Sequence, residues 1–358
     1  MLKARDAIRK LKEYHPPLGN REGLRLDFNE NTLGCSPRVL ERLRQLDGET
    51  LARYPERGKG EALVAAHLGV SPEELLLTNG TDEAIHLICE TYLEPGDEGL
   101  VVVPTFAMFE IYAAATGAQV ISIPTGPDFA FPTQAVLDLI NSRTRLIAVA
   151  NPNNPTGAFA PLADLLQIAE AASDAAVLVD EAYFEFCGDS MAPNWRGLPN
   201  LFVARTFSKA YGMAGLRIGV LLGNPGQMSV IRRASSPYNL NSVALACLPD
   251  ALSDQEFVRD YVAQALAGRC DLEIELAAWG IRFWPSRANF VLLHMGEQCQ
   301  AFISRMRERG ILVRDRSRDY GCQDCVRITV GLREHNQKLL ANLREVLAGL
   351  GLRQRVAG

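Results

Sequence analysis

Between residues 75 and 222, seven short runs rich in Val, Ile and Leu alternate with helix-like segments, and this alternation constrains the fold more than any other feature. The runs are LLLT (75–78), GLVVV (99–103), QVISI (119–123), RLIAVA (145–150), AVLVD (176–180), LFVAR (201–205) and IGVLL (218–222). Segments such as TDEAIHLICETYL and PLADLLQIAEAASD lie between them with helical spacing. Strands that are apolar almost throughout need cover on both faces, and intervening helices supply it. The pattern predicts an α/β domain with a mainly parallel seven-stranded sheet between helices. Ligands of such sheets sit in the loops beyond the C-terminal strand ends, so chemistry is sought there.

After about residue 238 the texture changes. Helical stretches at roughly 239–278, 297–309 and 333–350 enclose the short strands IRFW, NFVLL, ILVRD and VRITV. A chain of 358 residues exceeds one ordinary core. The expected division is an arm over residues 1–40 that joins the small domain, a large domain over 41–238, and linking helices with a smaller α+β domain over 239–358. The arm is expected to have no sheet of its own, and no repeat or low-complexity linker separates the units.

Several function classes drop out on composition. Hydrophobic and charged contents of 47% and 22% are those of a soluble globular protein. A formal net charge of −5 offers no basic stripe for nucleic acid, so an anionic ligand must meet locally placed arginines. No apolar run is long enough to span a bilayer. The N-terminus, MLKARDAIRKLKEYHPPLG, lacks the apolar centre of a secretory signal and reads as a short solvated helix, which suggests a cytoplasmic protein with no membrane partner. Of the eight cysteines only Cys322 and Cys325 form a C-x-x-C. With no second pair or nearby His, a reduced pair, open to redox sensitivity, is expected rather than zinc, and no metal is implied.

Two cofactor signatures fail. RGKGEAL begins like G-x-G-x-x-G, but position 63 is Leu and no strand precedes it. No G-x-x-x-x-G-K-[ST] occurs. The strand ends offer something else. RTFSKAYGMAGLRIG (205–219) groups Thr206, Ser208, Lys209 and Arg217. A lysine at a buried strand end is costly as an ammonium. Linkage to an aldehyde as an imine gives it a purpose, and burial lowers its pKa toward a useful nucleophile. The hydroxyls and the arginine could clamp a phosphate. Read blandly, an isolated Ser-Lys is a surface turn.

Four further motifs sit at successive strand ends. AVLVDEAYFEF ends a strand in Asp180, with Tyr183 three residues on. A carboxylate there can keep a pyridine nitrogen protonated, or simply cap a helix. NPNNPTG (151–157) presents Asn154 in a turn. TNGTDEAI (78–85) leads from strand to helix, offering the backbone N–H groups of Gly80, Thr81 and Asp82 to a phosphate; its bland reading is a capping box with Thr81 as cap. PTFAMF (104–109) supplies Phe106, to stack on a ring or to fill core.

Together with LDFNENTLG (26–34), RYPE (53–56), SPYNLN (236–241) and VRITVGLREHN (326–336), these motifs resemble those of the fold-type I PLP-dependent aminotransferases, and among them the histidinol-phosphate aminotransferase family. The resemblance covers nearly the whole chain and implies pyridoxal 5′-phosphate (PLP) as cofactor. It implies that Lys209 is the Schiff-base lysine and proton-transfer base. Asp180 would pair with the ring nitrogen, Asn154 and Tyr183 with the phenolic oxygen, and Phe106 would stack. Gly80, Thr81, Asp82, Thr206, Ser208 and Arg217 would surround the phosphate, with Tyr54 of RYPE reaching in from the neighbouring subunit of a homodimer. Arg327 would hold the anionic end of either substrate, helped by Arg314, Tyr14 and Asn31. The implied reaction moves an amino group from histidinol phosphate, or a related amine, to 2-oxoglutarate. Alternatives are a broad-specificity or aromatic amino-acid aminotransferase, and a decarboxylase of a phosphorylated amino acid. A regulator's PLP-sensing domain is disfavoured, because no DNA-binding extension is seen at either end. Three positions depart from the family: Thr32 stands where N-E-N-P has Pro, Phe106 where Tyr is usual, and Cys35 where Pro or Ala is usual.

Overall fold

The structure, a computed structural model, describes residues 2–15, 19 and 22–352. All seven runs form strands of one sheet: Leu75–Thr78, Glu98–Val103, Gln119–Pro124, Thr144–Ala150, Ala176–Asp180, Leu201–Thr206 and Gly219–Gly223. In space they follow the order first, seventh, sixth, fifth, fourth, second, third. Only the last strand, Gly219–Gly223, runs antiparallel to its neighbours. The parallel strands need crossovers, and the helices Gly80–Tyr92, Met108–Thr116 and Leu162–Ala171 lie between successive strands.

Period-two alternation sorts the strand residues onto two cores. Val177, Val179, Leu201 and Val203 pack on one face, and Leu178, Phe202 and Ala204 on the other. The same alternation carries Asp180 and Thr206 to the second face and Arg205 to the first. Both faces are dry: Phe202 is 1% exposed, and truncating it to Ala should cost about 3–5 kcal/mol.

The C-terminal unit is a four-stranded antiparallel sheet, ordered Arg314–Asp315, Cys325–Thr329, Phe290–His294, Arg282–Trp284. Val291, Leu293, Val326 and Ile328 face the helices Cys299–Glu308 and Arg333–Gly349 through Phe302, Leu339 and Leu343. Arg327 therefore points to the opposite face, as its place between two β-branched residues predicts. The strand register sets Arg314 directly across from Arg327.

Three details differ from the sequence-based expectation. The run ILVRD divides: Ile311–Leu312 pairs in parallel with Leu24–Arg25, while Arg314–Asp315 turns into the four-stranded sheet. The arm thus carries a two-residue strand. The helical stretch at 239–278 is broken into Ser242–Ser253 and Gln255–Ala278 at Asp254, which leaves the helical region at φ −103, ψ 58. Its carboxylate is held there by the Ser36 hydroxyl. Thr32 makes two bonds that Pro at this position could not. Its N–H donates to the Tyr261 hydroxyl at 3.2 Å, and its hydroxyl accepts from Leu332 N–H at 2.9 Å. Glycine at 331 is required by this contact, because a Cβ there would collide with Thr32 Oγ1.

Candidate active site

The strand ends converge on a cavity of about 240 Å³. Lys209, Asp180, Tyr183, Asn154, Phe106, Thr81, Asp82, Thr206, Ser208 and Arg217 all line it. Small neighbours, Ala150 and Ala182, leave the space open. Gly80 stands just behind Arg217.

Lys209 lies on the cavity floor, where its Nζ donates to the Phe28 carbonyl at 3.0 Å. Burial first, and then the charge of Arg327, lower its pKa to about 8. Asp180 is 5% exposed, and one carboxyl oxygen accepts from Ala182 N–H at 3.0 Å. Burial pushes the acid up to about 7. No helix begins at Asp180, since the next one is Phe184–Cys187, so the capping role does not apply. Beneath it, on the other face, Glu181 is ion-paired with Arg205 at 3.0 Å.

The helix Gly80–Tyr92 begins at the cavity, where Thr81 and Asp82 of its first turn line it and the first N–H groups have no intrahelical partner. Its N-cap residue is Asn79, so Thr81 lies inside the first turn and does not cap. Gly80 has φ +72, and a Cβ would come within 2.5 Å of Arg217 Nη2. Arg217 itself adopts φ +54, an unusual conformation for a side-chain-bearing residue. Its guanidinium donates to Asp82 Oδ2 at 2.9 Å and to the Ala214 carbonyl at 3.2 Å. The Thr206 hydroxyl accepts from Ser208 N–H at 3.1 Å, which holds the turn into Lys209.

The C-terminal sheet stands behind this lining and meets it through Asn154. Arg327, 4% exposed, donates to Asn154 Oδ1 and, at 2.7 Å, to the Asp27 carbonyl. Burial and the nearby Arg316 lower its pKa to about 9. Asn154 therefore has its amide NH₂ left for the cavity. The Arg314 guanidinium lies 4.9 Å from the centre of the Phe28 ring, and Arg316 is ion-paired with Asp319. Among the described residues, one buried nitrogen on each arginine (Arg314 Nη1, Arg316 Nε and Arg327 Nε) has no partner.

Not every expected residue reaches the site. Asn31 does not line this cavity. Its side chain accepts from Leu33 N–H at 2.8 Å and donates to the Ala210 carbonyl at 2.9 Å, which pins the arm to the lysine loop. Tyr54 is 77% exposed and stacks on Tyr238 at 4.3 Å, away from this chain's cavity. Tyr14 is 44% exposed and lies near Arg314, where it partly opposes the lowering of the arginine's pKa by burial; Pro16 and Pro17 of its EYHPP motif lie outside the described residues. Two residues escaped sequence reasoning. Asn29 donates to the Tyr183 hydroxyl at 2.9 Å, which leaves that hydroxyl's proton for another acceptor. Arg316 follows Arg314 by two positions, and that extended-strand spacing was the available signal.

PLP fits this cavity on three counts. The Asp180 acid is buried without a cation directly bonded to it, and a protonated ring nitrogen would supply one. The anion end joins a helix N-terminus to Arg217 across a glycine that cannot be enlarged. The lysine amine sits between them with a lowered proton affinity. These features define a PLP-dependent enzyme of fold type I, and the family comparisons make it a transaminase. The family model "Aminotransferase class I and II" matches residues 21–343. Histidinol-phosphate aminotransferase of Geobacillus sp. (strain WCH70) is 35% identical over 348 residues, covering 95% of this chain and 94% of the relative. Histidinol-phosphate aminotransferase 2 of Nitrosospira multiformis is 37% identical over 331 residues, covering 89% and 83%. The crystal structure of the Sinorhizobium meliloti histidinol-phosphate aminotransferase with pyridoxal-5′-phosphate superimposes with a TM-score of 0.87 at 26% identity, covering 98% and 99%. The chain belongs to the class I and II aminotransferases, in the histidinol-phosphate aminotransferase family.

Proposed function

We propose that this transaminase moves the amino group of histidinol phosphate to 2-oxoglutarate, giving the corresponding carbonyl compound and glutamate. One observation carries the reading: Arg314 and Arg327 face each other across adjacent strands, with Arg316 beside them. Like charges directly opposite on a sheet are destabilising, and buried cations with unpaired donors are costly. A doubly charged anion such as a phosphate monoester offsets both costs, through paired hydrogen bonds to planar guanidinium groups. The relatives named above support the same substrate.

When bound, PLP supplies an electron sink for the carbon that loses its proton. Lys209 Nζ would take up the proton that leaves the substrate Cα. A proton affinity near 8 keeps a useful share of that amine neutral near pH 7. Asp180 keeps the ring nitrogen protonated, Asn154 Nδ2 and the Tyr183 hydroxyl bind the phenolic oxygen, and the Phe106 ring stacks on the cofactor. Thr81, Asp82, Thr206, Ser208 and Arg217 hold the phosphate. Tyr54, exposed on the surface, reaches the site of a second copy in a cytoplasmic homodimer.

The test is a donor panel with 2-oxoglutarate as acceptor. Histidinol phosphate should exceed histidinol and phenylalanine in kcat/KM, by at least about tenfold. Equal use of phenylalanine would point to a broad or aromatic transaminase. Activity from mixed Tyr54→Phe and Lys209→Ala subunits above that of either parent tests the shared site; no rescue would place Tyr54 in its own subunit.

A further inference from the structure

The loop that carries Lys209 has a second cavity on its other side, of about 440 Å³, larger than the cofactor cavity. Arg205, Phe207 and Tyr211 form its floor. Its roof is one face of the long helix Gln255–Ala278, where Gln255, Val258, Val262 and Leu266 recur at helical spacing. Phe184 and Glu185, from the short helix beyond Asp180, close the side. The transamination chemistry above uses none of these groups.

The wall chemistry selects a kind of ligand. Phe207 and Tyr211 meet edge to face at 5.0 Å, an aromatic corner open to an apolar body. The Tyr211 hydroxyl is engaged with His67 at 3.3 Å and Gln255 at 3.4 Å. Arg205 is paired with Glu181 at 3.0 Å and lies 3.6 Å from the centre of the Phe184 ring. Arg205 is committed to Glu181, so Glu185 lines the cavity with no ion pair of its own among the described residues. Burial lifts Glu185 to about 7. Burial and Arg205 lower the pKa of His67, so it adds no compensating charge near neutrality. Arg259 lines the cavity at its exposed rim. The volume lies in the range of small-molecule pockets.

We propose that this cavity binds a compact organic cation with an aromatic or branched apolar body, its charge on Glu185 and its body against Phe207, Tyr211 and Val262. The position gives such a ligand a route to the chemistry. Phe207 and Tyr211 bracket Ser208 and Lys209 along the backbone, and Thr206 lines both cavities. A ligand held by the first pair constrains the loop that holds the lysine.

N,N-Dimethyl-2-phenylethylamine is a suitable probe, since a tertiary amine cannot form an imine with PLP. It is titrated by calorimetry into holoenzyme whose cofactor is fixed to the protein by borohydride, and into native holoenzyme while the visible cofactor band is followed. One saturable site per chain is expected in both forms, with a shift of the band in the native form. Val262→Trp, which fills the cavity, should abolish binding, and Glu185→Gln should weaken it by about tenfold or more. PLP content and far-UV circular dichroism of both variants verify that each is folded. No saturable binding in wild type, binding unchanged in both folded variants, or binding lost on borohydride fixation would each overturn the proposal.

Discussion

The two walls of the active site, the strand ends that line the cavity and the C-terminal strands behind them, are built on opposite plans. On the sheet side, groups arrive already engaged: Arg217 with Asp82, Lys209 with the Phe28 carbonyl, Thr206 with the Ser208 N–H. On the C-terminal side, three arginines crowd together with unpaired nitrogens and one nearby ion-pair partner, Asp319. The first wall can persist without a ligand, whereas the second is poised for a strong anion. Under the proposed function, cofactor chemistry falls to the sheet and substrate choice to the smaller unit.

Removing the sheet-side amine should have the largest effect. Lys209→Ala is expected to cost transamination about 10³-fold or more while PLP still binds, because proton transfer and covalent catalysis are both lost. Borohydride labelling with peptide mapping checks the wild type; label on another lysine would undo the assignment. Next, Asp180→Asn should lower turnover by about 10²-fold. The same change removes a buried acid held up at about 7, so the apoprotein should melt no lower than wild type at pH 8. Apoprotein destabilisation with turnover intact would make Asp180 structural.

The arginine wall should respond more mildly. Arg327→Lys keeps the charge but loses the fork, so both half-reactions should weaken by roughly 1.5–3 kcal/mol with PLP affinity unchanged. Stopped-flow measurement of each half-reaction decides this; loss of PLP with normal half-reactions would reverse it. Thr32→Pro, away from both walls, should lower stability by about 2 kcal/mol through its two lost hydrogen bonds. Per-site kcat should hold, as a melt and a titrated assay would show. The smallest change is a shift of midpoint. Only the neutral amine of Lys209 attacks an aldehyde, so PLP capture by apoenzyme should accelerate as pH rises through about 8 and then level off. A midpoint near the ordinary lysine value of 10.5 would contradict the buried environment.

The sheet was legible because its evidence is local. Each strand is a short apolar run, and each cavity residue on it stands at or just beyond a strand end. Lys209, Asp180 and Asn154 could be placed by that rule alone. Asn31 and Asn29 show where it stops. They sit two apart in one motif, yet one clamps the lysine loop and the other holds Tyr183. Their difference arises from partners about 150 to 180 residues away, which no local pattern encodes. The split of ILVRD is similar, since only the long-range pairing of Leu24–Arg25 separates its two halves. Arg316 was visible as a charge, but its membership of the cluster depends on a strand register that spacing alone does not specify.

Thr32 and Gly331 have a consequence for anyone rebuilding this chain. One side chain's hydroxyl occupies the volume that the other's missing Cβ vacates. The two positions are therefore a single unit of change, though 300 residues of sequence separate the hydrogen-bonded pair Thr32 and Leu332 beside them. Grafting a proline-type arm onto this body would leave the Leu332 N–H without its acceptor. Grafting a larger residue at 331 would push the arm off its seat. A chimera that exchanges the arm alone, or the C-terminal unit alone, inherits a mismatch at this joint; exchanging both together does not.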